Sequence, residues 1–350
     1  MCRRLTSMPN AIRLALIGCG GNMRNAHVPR LLRHGAAEFV ACVEPNKDCV
    51  DELRRKDDRL RAIPDYDAHA QMLREVQPDA VVISTPHTAH FRHVMDSLEA
   101  GCHVLVEKPM VCSTQEARQV VAAAEATGKV VSVSYQRHYQ GLFQRMRELV
   151  LDGELGALQF LTALQNQAWY ANRLKGLGWR HVPELSGGGQ LNDSGSHLID
   201  ILLHVTGLEP KRVHCLQQNF KLAVDVNAAI SVEFTEGTLG SINIVGNGPG
   251  IKSSVWEDLT LYGEAGALFY RMMGQPDHKP TLEWRKCDLE HPLPVGSTPP
   301  DSDPDTNFLD AVRGEAQVLT PPTCGLRTIQ LTEAAWESAR RGAVVDVDEL

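Results

Sequence analysis

Residues Arg13–Gly35 read RLALIGCGGNMRNAHVPRLLRHG. A short apolar run meets a cluster of glycines, and a helical stretch follows until Gly35 stops it. An uninterrupted apolar run of this length suits a parallel strand buried on both faces. Gly18 and Gly20 fit the first two positions of G-x-G-x-x-G. The first permits a tight turn, and the second lets the backbone approach a pyrophosphate. Gly21 can share that close approach. The third position holds Met23 in place of a small residue. The turn follows a strand and opens a helix, so the backbone N–H groups around Gly20, Gly21 and Asn22 face an anion.

Working outward, EFVACVEP (Glu38–Pro45) reads as the second strand and ends in Glu44. An acid roughly twenty residues past the glycine turn is placed to bind a ribose 2′-hydroxyl. It would repel a 2′-phosphate, which favours NAD over NADP; an ordinary strand-end charge is the alternative reading. NKDCVDELRRKD is a charged helix, DAVVIST (Asp79–Thr85) a buried strand, and HFRHVMDSLEAG a helix. HVLVEKP follows as a strand, then STQEARQVVAAAEATG as a helix with a Ser/Thr cap and a terminal Gly128, then KVVSVSY as a strand. Repeated strand–helix units predict a doubly wound parallel sheet of Rossmann type over residues 1–134.

HVLVEKP ends in Lys108 and Pro109. Ligands of such sheets sit beyond the C-terminal ends of the strands, so Lys108 is placed to reach one. Pro109 restricts Lys108 to extended backbone. The bond between them is expected to be trans, since only about 5–6% of X–Pro bonds are cis.

After Tyr135 the pattern changes. Residues 135–350 predict an α+β domain with a mostly antiparallel sheet and hairpin turns at Glu236-Gly237 and Gly263–Gly266. Gln275–Asp305, polar and Pro-rich, reads as an irregular excursion. Two helices close the chain and are expected to pack back on the first domain. Within this half, SGGGQLNDSGSHLIDILLHVTG (Ser186–Gly207) predicts an adaptable glycine approach and a helix capped by Asn192, Asp193 or Ser194. Asp193 and His197 are four apart and share a face. Asp200 and His204 continue the stripe.

Composition narrows the function classes. The chain has 350 residues, 43% hydrophobic and 22% charged, with net charge -8. That length suits two domains. The acidic balance excludes nucleic acid as a main partner, which needs a basic face. No apolar run reaches the length of a membrane span. The N-terminal MCRR reads as a tail before the first strand and not as a twin-arginine export signal. Nine scattered cysteines without a C-x-x-C pair fit free thiols in a reducing cytoplasm. His87, His90 and His93 are three apart but lack a carboxylate or thiol to complete a metal set, so no metal is expected.

STPHTAH, EAGCHVLVEKPM, SGGGQLNDSGSHLIDILLHVTG, FLDAVRG and AAWESARRG, in this order, resemble the Gfo/Idh/MocA oxidoreductase family, that of glucose–fructose oxidoreductase and inositol 2-dehydrogenase. The resemblance implies that Lys108, Asp193 and His197 face the nicotinamide from two domains. It implies that Thr85, Pro86, His87, His90 and Glu107 lie near the cofactor, with His90 shaping that loop. His87 stands where the family commonly has Asn. It also implies that residues 135–350 form a substrate-binding and oligomerisation domain with a large open sheet, through which homodimers or homotetramers form. The implied reaction is hydride transfer between NAD and a secondary alcohol of a sugar, inositol or related polyol. His197 is the leading general base, and Lys108 steadies the same oxygen; the two could exchange roles. Substrate contacts are expected from NQAWYANRLKGLGWRHVPEL, above all Trp179 and Arg180. Arg137, Tyr135, Trp169 and Tyr170 are weaker candidates, Trp169 as stacking surface or loop anchor. A dinucleotide-sensing regulator of the same fold, without turnover, is the alternative.

Overall fold

The computed structural model describes residues 11–248, 255–274 and 279–350. The N-terminal MCRR lies outside them, as do Gln275–His278 of the polar excursion. Among the described residues no helix is long and apolar enough to cross a membrane, and the eight described cysteines are free thiols.

The first domain carries strands β1 (Ile12–Ile17), β2 (Ala37–Val43), β3 (Asp65–Tyr66), β4 (Ala80–Ile83), β5 (His103–Val106) and β6 (Val131–Val133). They form a parallel sheet in the order β3-β2-β1-β4-β5-β6. Helices α1 (Val28–His34), α2 (Lys47–Arg54), α3 (His69–Val76), α4 (His90–Glu99) and α5 (Thr114–Thr127) cover it. Local chemistry sets their ends. Asn46 accepts from the Asp48 N–H to start α2, and Ser113 accepts from the Glu116 N–H to start α5, which Gly128 ends at φ 62°. The strand order reverses between β1 and β4, opening a crevice at their C-terminal ends. There Gly18 has φ +85°, and a Cβ on it would lie 2.6 Å from the Ser84 carbonyl oxygen. Only glycine fits that position.

The second domain contains α6 (Gly141–Leu151), β7 (Leu158–Asn166), α7 (Trp169–Leu174), α8 (Pro183–Ser186), α9 (Gln190–Asp193), α10 (Gly195–Thr206), β8 (Pro210–Gln218), β9 (Asn227–Phe234), β10 (Leu239–Val245), β11 (Trp256–Gly263), β12 (Gly266–Met273), β13 (Thr281–Lys286), α11 (Pro304–Val312), α12 (Pro322–Arg341) and β14 (Val345–Asp346). Its eight strands run β13-β12-β11-β7-β10-β9-β8-β14, antiparallel except for β10 against β7. The core lies between one face of this sheet and α6, α10 and α12. Phe160, Leu216 and Leu239 remain exposed. α11 returns to the first domain, where Phe308 and Leu309 join the core beneath β1.

Three expectations change. The polar excursion contains a strand, β13, which pairs with β12 in register Leu268 to Trp284. It is an exposed edge strand, so its TLEWRK sequence lacks the apolar signal of a central one. Lys108–Pro109 is cis, not trans. The three glycines of SGGG are tightly packed, not adaptable: a Cβ on Gly189 would lie 1.9 Å from the Asp225 carbonyl oxygen, and one on Gly188 2.3 Å from the Trp336 ring.

Candidate active site

The end of β5 and the junction of α9 with α10 meet at a cavity of about 420 Å³. Lys108 enters from β5. Its Nζ donates to the Asp193 backbone carbonyl at 2.8 Å and to Asp193 Oδ1 at 3.0 Å. The two side chains are 11% and 7% exposed, so the ion pair is largely shielded from water. Arg180 Nε lies 3.1 Å from the same carboxylate, and Trp169 Nε1 donates to Oδ2 at 2.9 Å. Burial alone would raise the Asp193 pKa, but Lys108 and Arg180 hold it well below the usual carboxylate range. Trp169 is anchored against Val224 and Val226 and holds the Asp193 carboxylate.

His197 lines the same cavity from the first turns of α10. Its Nδ1 is buried without a partner, which leaves Nε2 as the nitrogen that can face the cavity. Burial, then the charges of Lys108 and Arg137, push its pKa well below the ordinary histidine value. The ring is neutral at neutral pH and can accept a proton.

No side chain of Asn192, Asp193 or Ser194 caps this helix, contrary to the spacing argument. Asp193 is occupied by the cations. Ser194 is itself helical (φ -86°, ψ -30°), so α10 continues α9. The start of α9 is capped across space by Asp225, whose Oδ1 accepts from Gly189 N–H at 2.9 Å and Oδ2 from Leu191 N–H at 2.7 Å. Trp336 Nε1 holds that carboxylate at 3.0 Å. A cap from 34 or more residues away leaves no local signal in the sequence. Further along the stripe, Asp200 accepts from buried His138 at 2.8 Å, and the His204 ring lies 3.7 Å from the His138 ring. These polar groups serve the helix interface, away from the cavity lining.

Behind Lys108 a chain of buried charges runs into the first domain. Glu107 Oε1 lies 3.0 Å from His27 Nε2, and His27 Nδ1 lies 2.7 Å from Asp305 Oδ1. Burial would lower the His27 pKa, but Asp305 and Glu107 raise it to about 10. The imidazolium in turn holds Glu107 well below the usual carboxylate range against the effect of burial. Glu107 Oε2 accepts from the Lys108 N–H at 3.1 Å. His27, Asp305 and Asp225 were not singled out from the sequence. His27 stands at the end of GNMRNAH, but its partner Asp305 is 278 residues away.

A second space of about 420 Å³ lies at the crevice, lined by Gly18, Gly20, Glu44, Thr85, Pro86 and Trp179 among others. A Cβ on Gly20 would meet nothing within 4 Å, and one on Gly21 only the Asn25 amide at 3.9 Å. The turn is therefore open to a close-lying ligand. Glu44 is held at the wall by the N–H groups of Cys19 and Asn46, both at 3.0 Å. Asp67 lines the same space. These residues fit a dinucleotide: an open glycine turn for the pyrophosphate and acids for the ribose. Asn22 and Arg180 line the first cavity, and Gly20 and Trp179, their near neighbours in sequence, line the second.

Several expected contacts fall elsewhere. Arg137 does not reach the cavity: its guanidinium forms a two-bond ion pair with buried Glu257, and Gln165 donates to Glu257 Oε2 at 3.1 Å. Met23 is fully buried against the first-domain core, beside a π-helical turn that begins at that residue. Its thioether is a packing group and not a cofactor contact. His90 is buried with Nδ1 2.8 Å from the Pro109 carbonyl and Nε2 3.0 Å from that of Thr85. It ties two loops together and presents no free nitrogen. Trp179 lines the crevice, edge-on to His87 at 4.6 Å, while Arg180 alone of that pair lines the cavity. His87 Nδ1 lies 3.1 Å from the Ser186 carbonyl, and burial lowers its pKa to about 3. His93 lies 3.1 Å from the Thr85 hydroxyl, so His87, His90 and His93 do not converge. Tyr135 is buried, and Tyr170 packs on Phe220 at 5.1 Å.

A parallel six-stranded sheet with a glycine turn, whose β5 carries Lys108, meets a second domain whose helices bring Asp193 and His197 to the same cavity, and together these define a two-domain protein of Rossmann type. The comparisons narrow this further. Residues 12–135 match the oxidoreductase family with an NAD-binding Rossmann fold, and residues 143–269 match the GFO/IDH/MocA C-terminal domain. The chain belongs to this Gfo/Idh/MocA family. It is 32% identical over 203 residues to D-glucoside 3-dehydrogenase of Escherichia coli, spanning 58% of this chain and 56% of that one. It is 25% identical over 336 residues to the rhizopine catabolism protein MocA of Rhizobium meliloti, covering 94% and 95% of the two chains. A levoglucosan dehydrogenase solved with NADH and L-sorbose shares the fold at TM-score 0.82 and 18% identity, over 96% and 98% of the chains.

Proposed function

We propose that the protein is an NAD-dependent oxidoreductase acting on a secondary alcohol or ketone of a sugar, inositol or related polyol. The observation that carries this reading is the convergence of Lys108, Asp193 and His197 on one cavity that is also lined by Asn22 of the glycine turn. Bound there, a nicotinamide would supply the hydride acceptor. The remaining work falls to the chain. The Lys108 ammonium has three donors and uses two on Asp193, leaving one for the substrate oxygen. It stabilises negative charge on that oxygen as the hydroxyl proton leaves. Neutral His197 receives that proton. Asp193 and Trp169 fix the ammonium, and the Glu107–His27–Asp305 chain fixes the loop that carries it.

Glu44 and Asp67 at the crevice support NAD over NADP, because a 2′-phosphate would meet two acids. The NADH and L-sorbose held by the structural neighbour, and the glucoside named for the relative, support a sugar-like substrate. Exposed Phe160, Leu216 and Leu239 on the second sheet support self-association through that face.

The test is a screen of sugars, inositols and sugar acids with NAD and NADP, read at the nicotinamide absorbance. Turnover with NAD is the expected result. Tight NAD binding without turnover of any polyol would replace this reading with the regulator.

A further inference from the structure

The cavity holds more positive charge than a neutral polyol calls for. Lys108, Arg173 and Arg180 line it, against the carboxylates of Glu107 and Asp193. Neither carboxylate is free. Glu107 is paired with the buried, cationic His27, and Asp193 is shared between Lys108 and Arg180. Arg173 is left over: among the described residues no carboxylate lies within ion-pair distance of it. Its Nη1 donates to the Leu177 carbonyl, and its Nε is buried without a partner among the described residues. Its guanidinium lies 5.3 Å from the centre of the Trp169 ring. Trp169 is in turn tied to Asp193, so Arg173 is held at a fixed place relative to the proposed catalytic groups.

A half-buried guanidinium with unsatisfied donors, beside a second one, is unfavourable on its own. Burial presses its pKa below the usual arginine value, the more distant charge of Asp193 opposes this only in part, and Arg180 adds to it. An anionic oxygen pair would relieve both effects, since a guanidinium fork matches a carboxylate or phosphate and the resulting bonds are charge-assisted. A hydroxyl would satisfy the geometry but not the charge. We propose that the substrate of this cavity is an acidic sugar or polyol, whose carboxylate or phosphate is received by Arg173 with Arg180 while its reacting hydroxyl lies at Lys108 and His197. This rests on the oxidoreductase reading of the same cavity and narrows its substrate class.

The experiment measures binding before turnover. The NADH-loaded protein is titrated with D-glucuronate, D-gluconate and D-glucose 6-phosphate, each against its uncharged parent, D-glucose or D-glucitol. Tryptophan fluorescence reports through Trp169, with calorimetry as the check. At least one acid should bind about tenfold or more tightly than its parent, and the advantage should shrink as salt is raised. The winning acid assigns the group as carboxylate or phosphate. Arg173→Gln should remove the advantage and raise KM with kcat little changed, and Arg173→Lys should restore part of it. If no acid exceeds its parent, or if the advantage survives in Arg173→Gln, the proposal is overturned. Hydride transfer from neutral sugars with no acid preference would overturn this inference alone. An acid preference without hydride transfer to any compound would instead sink the oxidoreductase reading.

Discussion

Asp193→Asn should destabilise the protein, although removing a charge from a catalytic cavity often has the opposite effect. Asp193 is the shared anion of two cations. Its Oδ1 lies 3.0 Å from Lys108 Nζ, and its carboxylate lies 3.1 Å from Arg180 Nε. At an effective dielectric of about 20, a unit pair at that separation is attracted by roughly 5 kcal/mol. Much of that is offset by the cost of taking both charges out of water. Removing one partner of a buried pair is then expected to cost about 3–5 kcal/mol. Asparagine also offers one acceptor where Trp169 and the cations need two. Urea unfolding of Asp193→Asn should show this loss, and kcat should fall on the order of 100-fold as Lys108 loses its anchor. Lys108→Met should cost less, because Arg180 and Trp169 still hold Asp193. The double variant should recover about 1–3 kcal/mol relative to the sum of the singles. Asp193→Asn as stable as the parent, or singles that simply add, would refute the shared-anion account.

Other outcomes follow from neighbouring groups. Glu257→Gln leaves Arg137 buried and unpaired, and should cost about 3–5 kcal/mol of stability with KM nearly unchanged; a large KM effect would return Arg137 to the substrate site. His27 is raised from 6.5 to about 10 on folding. Its stabilising contribution is therefore complete below about pH 6.5 and lost as pH rises through about 10. His27→Asn should flatten that decline in a stability–pH series. Glu44→Gln keeps the side-chain shape and removes the charge, so NADP affinity should rise about tenfold relative to NAD; an unchanged ratio would remove Glu44 from cofactor choice.

The sequence made the first sheet legible because its strands are short apolar runs that end where helices begin. β3, two residues long, and β13, exposed at an edge, offered no such pattern. Lys108, Asp193 and His197 could be found because each sits in a dense local motif. What the motif could not show is pairing across the chain. Arg137 reads as a reachable cation until Glu257 is seen against it, 120 residues on. Arg173 reads as one of several loop charges until its lack of a carboxylate is visible. Met23 reads as a departure in a binding turn, whereas its side chain belongs to the core. Local sequence reports which groups are present and which face they share; burial decides which of them remain available.

In the proposed reaction Lys108 and His197 act on one substrate oxygen. Its most direct test is the single-turnover rate of nicotinamide reduction in Lys108→Ala and His197→Ala, measured across pH with a substrate found in the screen. Each variant should slow the step by about 10²–10⁴. The parent's rate should hold through pH 6.5 and fall only well below it, because His197, with its pKa pushed well under the ordinary histidine value, stays neutral until then. Rates within a few-fold of the parent in both variants, with an unchanged pH profile, would contradict it.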